Sequence, residues 1–199
     1  LILPNISSIT DVQAEHLNKV DHLVLDGLTS ITDAQAESLS KVYHLRLDGL
    51  TSITDAQAES LIKNKKNKER VVNILYLNRL SSITDRLAEI LSKAEHLELN
   101  GLSSITDPQA EHLSKVKHLD LRGLTSISDR QAKILSEVAK TLILPNISSI
   151  TDVQAEHLNK VDHLVLDGLT SITDKQAESL SKVKVLGLSG LTSITDKQA

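Results

Sequence analysis

The sequence predicts an α/β solenoid in which short parallel strands alternate with short helices. Three observations carry that prediction. A Leu-x-Leu pair begins at Leu1, Leu23, Leu45, Leu75, Leu97, Leu119, Leu142, Leu164 and Leu186, in steps of 22, 22, 30, 22, 22, 23, 22 and 22 residues. Each pair is followed by the same apolar spacing, as in Leu23, Leu25, Leu28 and Ile31. A Thr-Asp-x-Gln phrase then recurs, as in Thr32-Asp33-Ala34-Gln35. A fixed period in this range marks a stack of one supersecondary unit, repeated.

Within one coil, Leu23 and Leu25 alternate with His22, Val24 and Asp26. Period two reads as a short strand with the leucines inward. Gly27 permits an unusual turn or a close backbone approach. Leu28 and Ile31 fill the interior from the descending loop. Thr32 and Gln35 form a capping box, each side chain satisfying a free N–H at a helix start. Asp33 suits the positive end of that helix. The helix is expected from Asp33 to Ser40, with Ala36 and Leu39 on the inner face and Glu37, Ser38 and Lys41 outside. Val42 begins the return. Each coil thus offers seven apolar side chains, and one coil alone leaves its top and bottom open. Stacking buries them, at roughly 1.5–3 kcal/mol for each large aliphatic group. Every strand is followed by a helix and a return, so the sheet is parallel and the crossovers right-handed. Helices are bulkier than strands, so the strands are expected on a concave side.

The phrase Leu-x-Leu, Gly-Leu, Ile-Thr-Asp, then Ala and Leu on a helix resembles the leucine-rich repeat superfamily. It is similar in particular to the cysteine-containing subclass, whose coils read Leu-x-Leu-x-x-Cys-x-x-Ile-Thr-Asp. Leu28, Leu50, Leu80, Leu102, Leu124, Leu169 and Leu191 stand where that subclass has Cys, with Ile147 in the eighth coil. The resemblance covers essentially the whole chain. It implies a horseshoe with about nine short strands on the concave side and helices on the convex side. It also implies protein–protein interaction, an analogy at the level of fold.

Composition narrows the function classes. The net charge is −4, which gives no global pull toward nucleic acid or an anionic membrane. No apolar run is long enough to span a bilayer, and no signal-peptide pattern opens the chain. Met is absent, so the sequence reads as a segment of a longer protein, a single repeat array over residues 1–199 without terminal caps. Cys is also absent, which leans toward a reducing, cytoplasmic setting. The chain has no Phe or Trp and only Tyr43 and Tyr76 as aromatics, so its core is aliphatic.

Three irregularities stand out. The 30-residue step carries a basic insertion, with Lys63, Lys65, Lys66, Lys68 and Arg70 against a single acid, Glu69. A charge run of this kind usually forms a solvated loop tip; the sharper alternative is a docking knob for an acidic partner or phosphate. Residues 1–33 recur identically as residues 142–174, pointing to recent duplication or assembly from copies. Both ends are open, and open parallel edges invite end-to-end self-association into dimers or filaments.

Outward residues of successive strands should form columns about 5 Å apart. The first contains His22, His44, Ile74, His96, His118, Thr141, His163 and Val185. The second runs Val24, Arg46, Tyr76, Glu98, Asp120, Ile143, Val165 and Gly187. Asp26, Asp48, Asn78, Asn100, Arg122, Pro145, Asp167 and Ser189 make the third. These columns nominate a partner-binding face, with Tyr76, Arg46, Glu98, Asp120 and Arg122 as its anchors, for a protein or peptide ligand. His22 with His44, and His96 with His118, are expected neighbours, which predicts weaker stability or altered binding below about pH 6. No closed set of four metal ligands is present, so no metal or other cofactor is assigned. His16, His112 and His157 are expected to be exposed and carry no role. The recurring Asp residues serve as caps, no nucleophile is set beside a base, and no phosphate loop or aromatic-basic stripe appears. A non-catalytic binding scaffold is therefore the leading reading, and a self-associating spacer array the alternative.

Overall fold

A computed structural model describes residues 1–62, 72–137 and 140–195. The chain divides into two compact units, Leu1–Gly101 and Leu102–Ala199. The first contains α1 (Asp11–Leu17), β1 (His22–Val24), α2 (Asp33–Leu39), β2 (His44–Arg46), α3 (Asp55–Leu61), β3 (Ile74–Tyr76), α4 (Asp85–Leu91) and β4 (His96–Glu98). In the second are α5 (Asp107–Leu113), β5 (His118–Asp120), α6 (Asp129–Leu135), β6 (Thr141–Ile143), α7 (Asp152–Leu158), β7 (His163–Val165), α8 (Asp174–Leu180) and β8 (Val185–Gly187).

Within the first unit β1 to β4 pair side by side, all parallel. Leu23 aligns with Leu45, and Leu45 with Leu75. The second of these pairs spans the 30-residue step, so the eight extra residues do not disturb the register. In the second unit β5 to β8 pair in the same way. There the 23-residue step leaves Leu119 opposite Leu142. Register holds because a slip of one residue would turn every inward leucine to solvent.

The first Leu-x-Leu forms a single bridge, Ile2 to Val24, rather than a strand. Eight strands are therefore present among the described residues where about nine are expected. Residues 1–3 have a neighbour on one side only, and two backbone hydrogen bonds tie them to Val24.

All seven inward positions of the second coil are buried: Leu23, Leu25, Leu28, Ile31, Ala36, Leu39 and Val42. α2 ends at Leu39, one residue earlier than expected, with Ser40 as its C-cap. Each described helix starts at a Thr or Ser whose side-chain oxygen accepts the N3 backbone N–H. Gln at N3 completes a reciprocal box in every one but α4, where Leu87 holds that position.

The same Gln does something the sequence does not announce. Its amide Nε2 donates to the backbone carbonyl of the Ile one coil back: Gln35 to Ile9 at 2.8 Å, Gln57 to Ile31 at 2.9 Å, Gln131 to Ile105 and Gln154 to Ile127 at 2.8 Å, and Gln176 to Ile150 at 2.8 Å. A buried carbonyl left alone costs about 1–3 kcal/mol, so this ladder satisfies backbone between coils as well as at the helix start. Glycine marks the opposite corner. A Cβ on Gly49 would stand 2.2 Å from the Asp26 carbonyl oxygen and 2.4 Å from that of Leu28, so the coils approach there too closely for any side chain.

Candidate functional site

The strand faces place the outward side chains. In the first unit the His22 and His44 rings meet edge to face at 4.9 Å between centroids. Their Nδ1 atoms are 2.9 Å apart, a hydrogen bond in which one ring donates and the other accepts. His44 stacks on Tyr76 at 5.0 Å and 17° between planes. Tyr76 in turn lies 5.6 Å from His96. By register Tyr76 pairs with Arg46, and His44 with Ile74. The Tyr76 ring nevertheless lies against His44, so a file of four rings runs diagonally across two columns. Burial holds the His44 imidazole below its ordinary pKa of 6.5. The nearby His22, His96 and Arg46 charges push the same way, and Glu98 opposes them.

Beside the rings sits an ion-pair clamp. Arg46 Nε lies 2.6 Å from Asp48 Oδ2 and 3.1 Å from Asp26 Oδ2. The hydrogen bond to Asp48 raises the guanidinium pKa further above its usual value, and the charges of Asp48, Asp26 and Glu98 add to the effect. Arg46 remains 46% exposed in its side chain, so the clamp fixes it without hiding it.

The third column is a ladder of its own. Asp26 Oδ1 accepts the Asp48 backbone N–H at 3.3 Å, Asp48 Oδ1 that of Asn78 at 3.1 Å, and Asn78 Oδ1 that of Asn100 at 3.2 Å. Asn78 also donates from Nδ2 to Glu98 Oε2 at 3.1 Å, and Asn100 does so at 3.4 Å. Glu98 Oε1 lies 3.4 Å from His96 Nε2. The columns therefore join coils as well as facing outward. Val24 is half-buried at their margin.

The second unit presents different chemistry. His118 Nδ1 is 2.9 Å from Thr141 Oγ1, and Thr141 aligns with His163. Ile143 and Val165 occupy the next column. Asp120 departs from its expected outward placement: it is 1% exposed. Arg122 folds over it, with Nη2 2.5 Å from Asp120 Oδ2, and its guanidinium takes the surface instead at 51% exposure. Asp167 Oδ1 accepts the Ser189 N–H at 2.9 Å, repeating the third-column ladder.

His16 is exposed as expected, whereas His112 and His157 are half-buried. The corrected pair sit one residue before a fully buried Leu, and the neighbouring coil shields them. Lys63, Lys65, Lys66, Lys68 and Arg70 lie outside the described residues. Among the described residues no group of three or more His, Asp or Glu is arranged to hold a metal ion. Nor is any described helix long and apolar enough to cross a membrane.

A 22-residue coil of one short strand and one capped helix, stacked in register on aliphatic side chains, defines the α/β solenoid of the leucine-rich-repeat fold. Solved structures share it. The leucine-rich repeat-containing protein LegL7 of Legionella pneumophila aligns with a TM-score of 0.62 at 15% identity, covering 100% of this chain and 86% of its own. Internalin C2 of Listeria monocytogenes gives 0.57 at 19% identity, covering 94% and 78%. Another Listeria monocytogenes internalin, inlF, gives 0.51 at 15% identity, covering 89% of this chain; the chain spans only 56% of its length. At these identities the likeness is one of fold. No protein-family model matches the sequence, and no curated protein does.

Proposed function

We propose that this chain is a non-catalytic interaction module that offers its strand face to a protein or peptide. The observation that carries this reading is the ring file His22, His44, Tyr76 and His96 beside the clamped Arg46. Aromatic and Arg side chains supply most of the energy at protein interfaces, and more so when held rigid before binding. Here each ring contacts the next, His44 and Tyr76 face to face, and Arg46 is pinned by two carboxylates. Asp48, Asn78, Glu98 and Asn100 surround them with acceptors. The second unit has a strand face of its own, with His118, Arg122, His163 and Asp167. Leucine-rich repeats serve widely as interaction scaffolds, which agrees with this assignment. No catalytic residue is assigned.

The test compares the chain with an Arg46→Ala/Tyr76→Ala double variant. Proteins retained by each are identified, and those retained only by the first are titrated directly. A specific partner bound at least about tenfold more weakly by the double variant, a loss of about 1.4 kcal/mol, supports the reading. Equal affinity of every partner for both proteins refutes it.

A further inference from the structure

The position just before each strand changes from coil to coil, while the apolar and cap positions are kept. In the first unit it holds Asp21, Tyr43, Asn73 and Glu95; in the second it holds Lys117, Lys140, Asp162 and Lys184. Backbone hydrogen bonds set these residues side by side. The His44 N–H donates to the Asp21 carbonyl at 2.8 Å, and the Asn73 N–H to that of Tyr43 at 2.9 Å. In the second unit the Lys140 N–H donates to the Lys117 carbonyl at 2.9 Å, and the His163 N–H to that of Lys140 at 2.8 Å.

The first unit closes this column on itself: Asn73 Nδ2 donates to Tyr43 Oη at 3.0 Å and to Glu95 Oε2 at 2.9 Å. The second unit sets Lys117 beside Lys140. Like charges on adjacent strands destabilise a sheet, and the coil does not require Lys there, since Tyr43 and Asn73 fill the same position. Asp162 offsets only part of the charge. Lys184 Nζ lies 2.7 Å from its Oδ1, and that hydrogen bond, with the Lys184 and Lys140 charges, holds the carboxyl below its usual pKa. Lys115, Lys160 and Lys182 follow the C-caps Ser114, Asn159 and Ser181, where a cation suits the negative end of a helix. Lys41 and Lys93 stand in the same way after Ser40 and Ser92. Lys117 and Lys140 have no such account. All six lysines of this margin in the second unit are exposed, against two acids, Glu137 and Asp162.

We propose that this basic margin of the second unit takes an acidic peptide segment, whose carboxylates meet Lys117 and Lys140 as it crosses the strand entries. Four entries at strand spacing span about 14 Å, the reach of about four or five extended residues. The margin holds no Arg and no aromatic residue. It therefore offers no planar fork to a phosphate and no ring to a base, which sets nucleic acid aside. A lipid surface would meet the chain as a whole, whose net charge is −4, whereas a short peptide meets the margin alone. The compact ammonium of Lys on a flexible stem suits carboxylates carried by a pliable segment. The margin belongs to the second unit and the ring file to the first, so this surface and the function proposed above stand or fall separately.

Calorimetric titration with decaglutamate at low ionic strength tests it. The chain should bind the peptide, and added salt should weaken the binding. Lys117→Gln/Lys140→Gln should bind at least about fivefold more weakly, each lost exposed pair being worth a few-fold. Lys41→Gln/Lys93→Gln lowers the net charge equally and should stay within about twofold of the parent chain. All four positions are exposed and Gln keeps most of each stem, so both variants retain the fold, which their unfolding transitions check. No binding by the parent chain, or equal losses in the two variants, overturns the proposal. So does tighter binding of phosphatidylserine vesicles or a DNA duplex through the same two lysines.

Discussion

His44 concentrates the electrostatics of the first unit. It meets His22 through a hydrogen bond between their Nδ1 atoms and Tyr76 through its face. Burial and neighbouring positive charge lower its pKa from 6.5, with Glu98 opposing. The folded chain therefore binds this proton less readily than the unfolded chain. Between the folded pKa and 6.5 the unfolded state holds more protons, so stability rises with pH. The contribution is present above about pH 6.5, fades as pH falls through that value, and levels off below the folded pKa. Urea denaturation at pH 7.5, 6.5, 5.5 and 5.0 should show the chain losing more stability than a His44→Gln variant over that interval. Parallel pH profiles for the two proteins would remove His44 as the cause. Other residues show how far a periodic sequence reaches. Strand alternation places Leu23 and Leu45 inward and His22 and His44 outward. It does not give the lean of a ring, and Tyr76 against His44 crosses two columns through side-chain torsions. Asp120 is covered for the same reason: Arg122, two positions on, folds back over it.

At the scale of the element, the capped helix is the most legible unit and also the one with a hidden contact. Thr or Ser followed three residues later by Gln specifies both halves of the capping box. The third bond, from Gln Nε2 to an Ile carbonyl about 26 residues back, needs the pitch of the stack, which no single coil contains. Gln154→Ala removes the reciprocal cap to the Thr151 N–H and leaves the Ile127 carbonyl without its donor. Together these should cost about 2–4 kcal/mol. Chemical denaturation would check this against Gln154→Glu, which keeps the cap acceptor, loses the amide donor and sets an acceptor against the Ile127 carbonyl oxygen. Gln154→Glu should be destabilising by at least the worth of the lost donor bond, and no loss would place all the energy in the cap. α4 keeps the Thr84 half of the box with Leu87 at N3, so the helix start survives without Gln when an apolar side chain is buried in its place. The Asp26–Asp48–Asn78–Asn100 ladder was hidden for the same reason: polar residues in an outward column read as surface until the next coil brings its N–H to them.

A solenoid's stability is a sum of coil terms and neighbour terms, and this chain carries its own control for separating them. Residues 1–33 and 142–174 share every intrinsic propensity, cap and turn, so any difference between them is a neighbour term. Leu3 is half-buried and Leu144 fully buried. Leu144→Ala removes a side chain enclosed on both sides and should cost about 2–5 kcal/mol. Leu3→Ala removes the same atoms from a groove already open to water, and should cost about 1 kcal/mol or less. Denaturant unfolding of the two variants beside the parent chain reads both losses. Two variants that lose equal stability in the monomer would mean that the coils do not depend on their neighbours, contrary to the one-dimensional packing on which a repeat of this period rests.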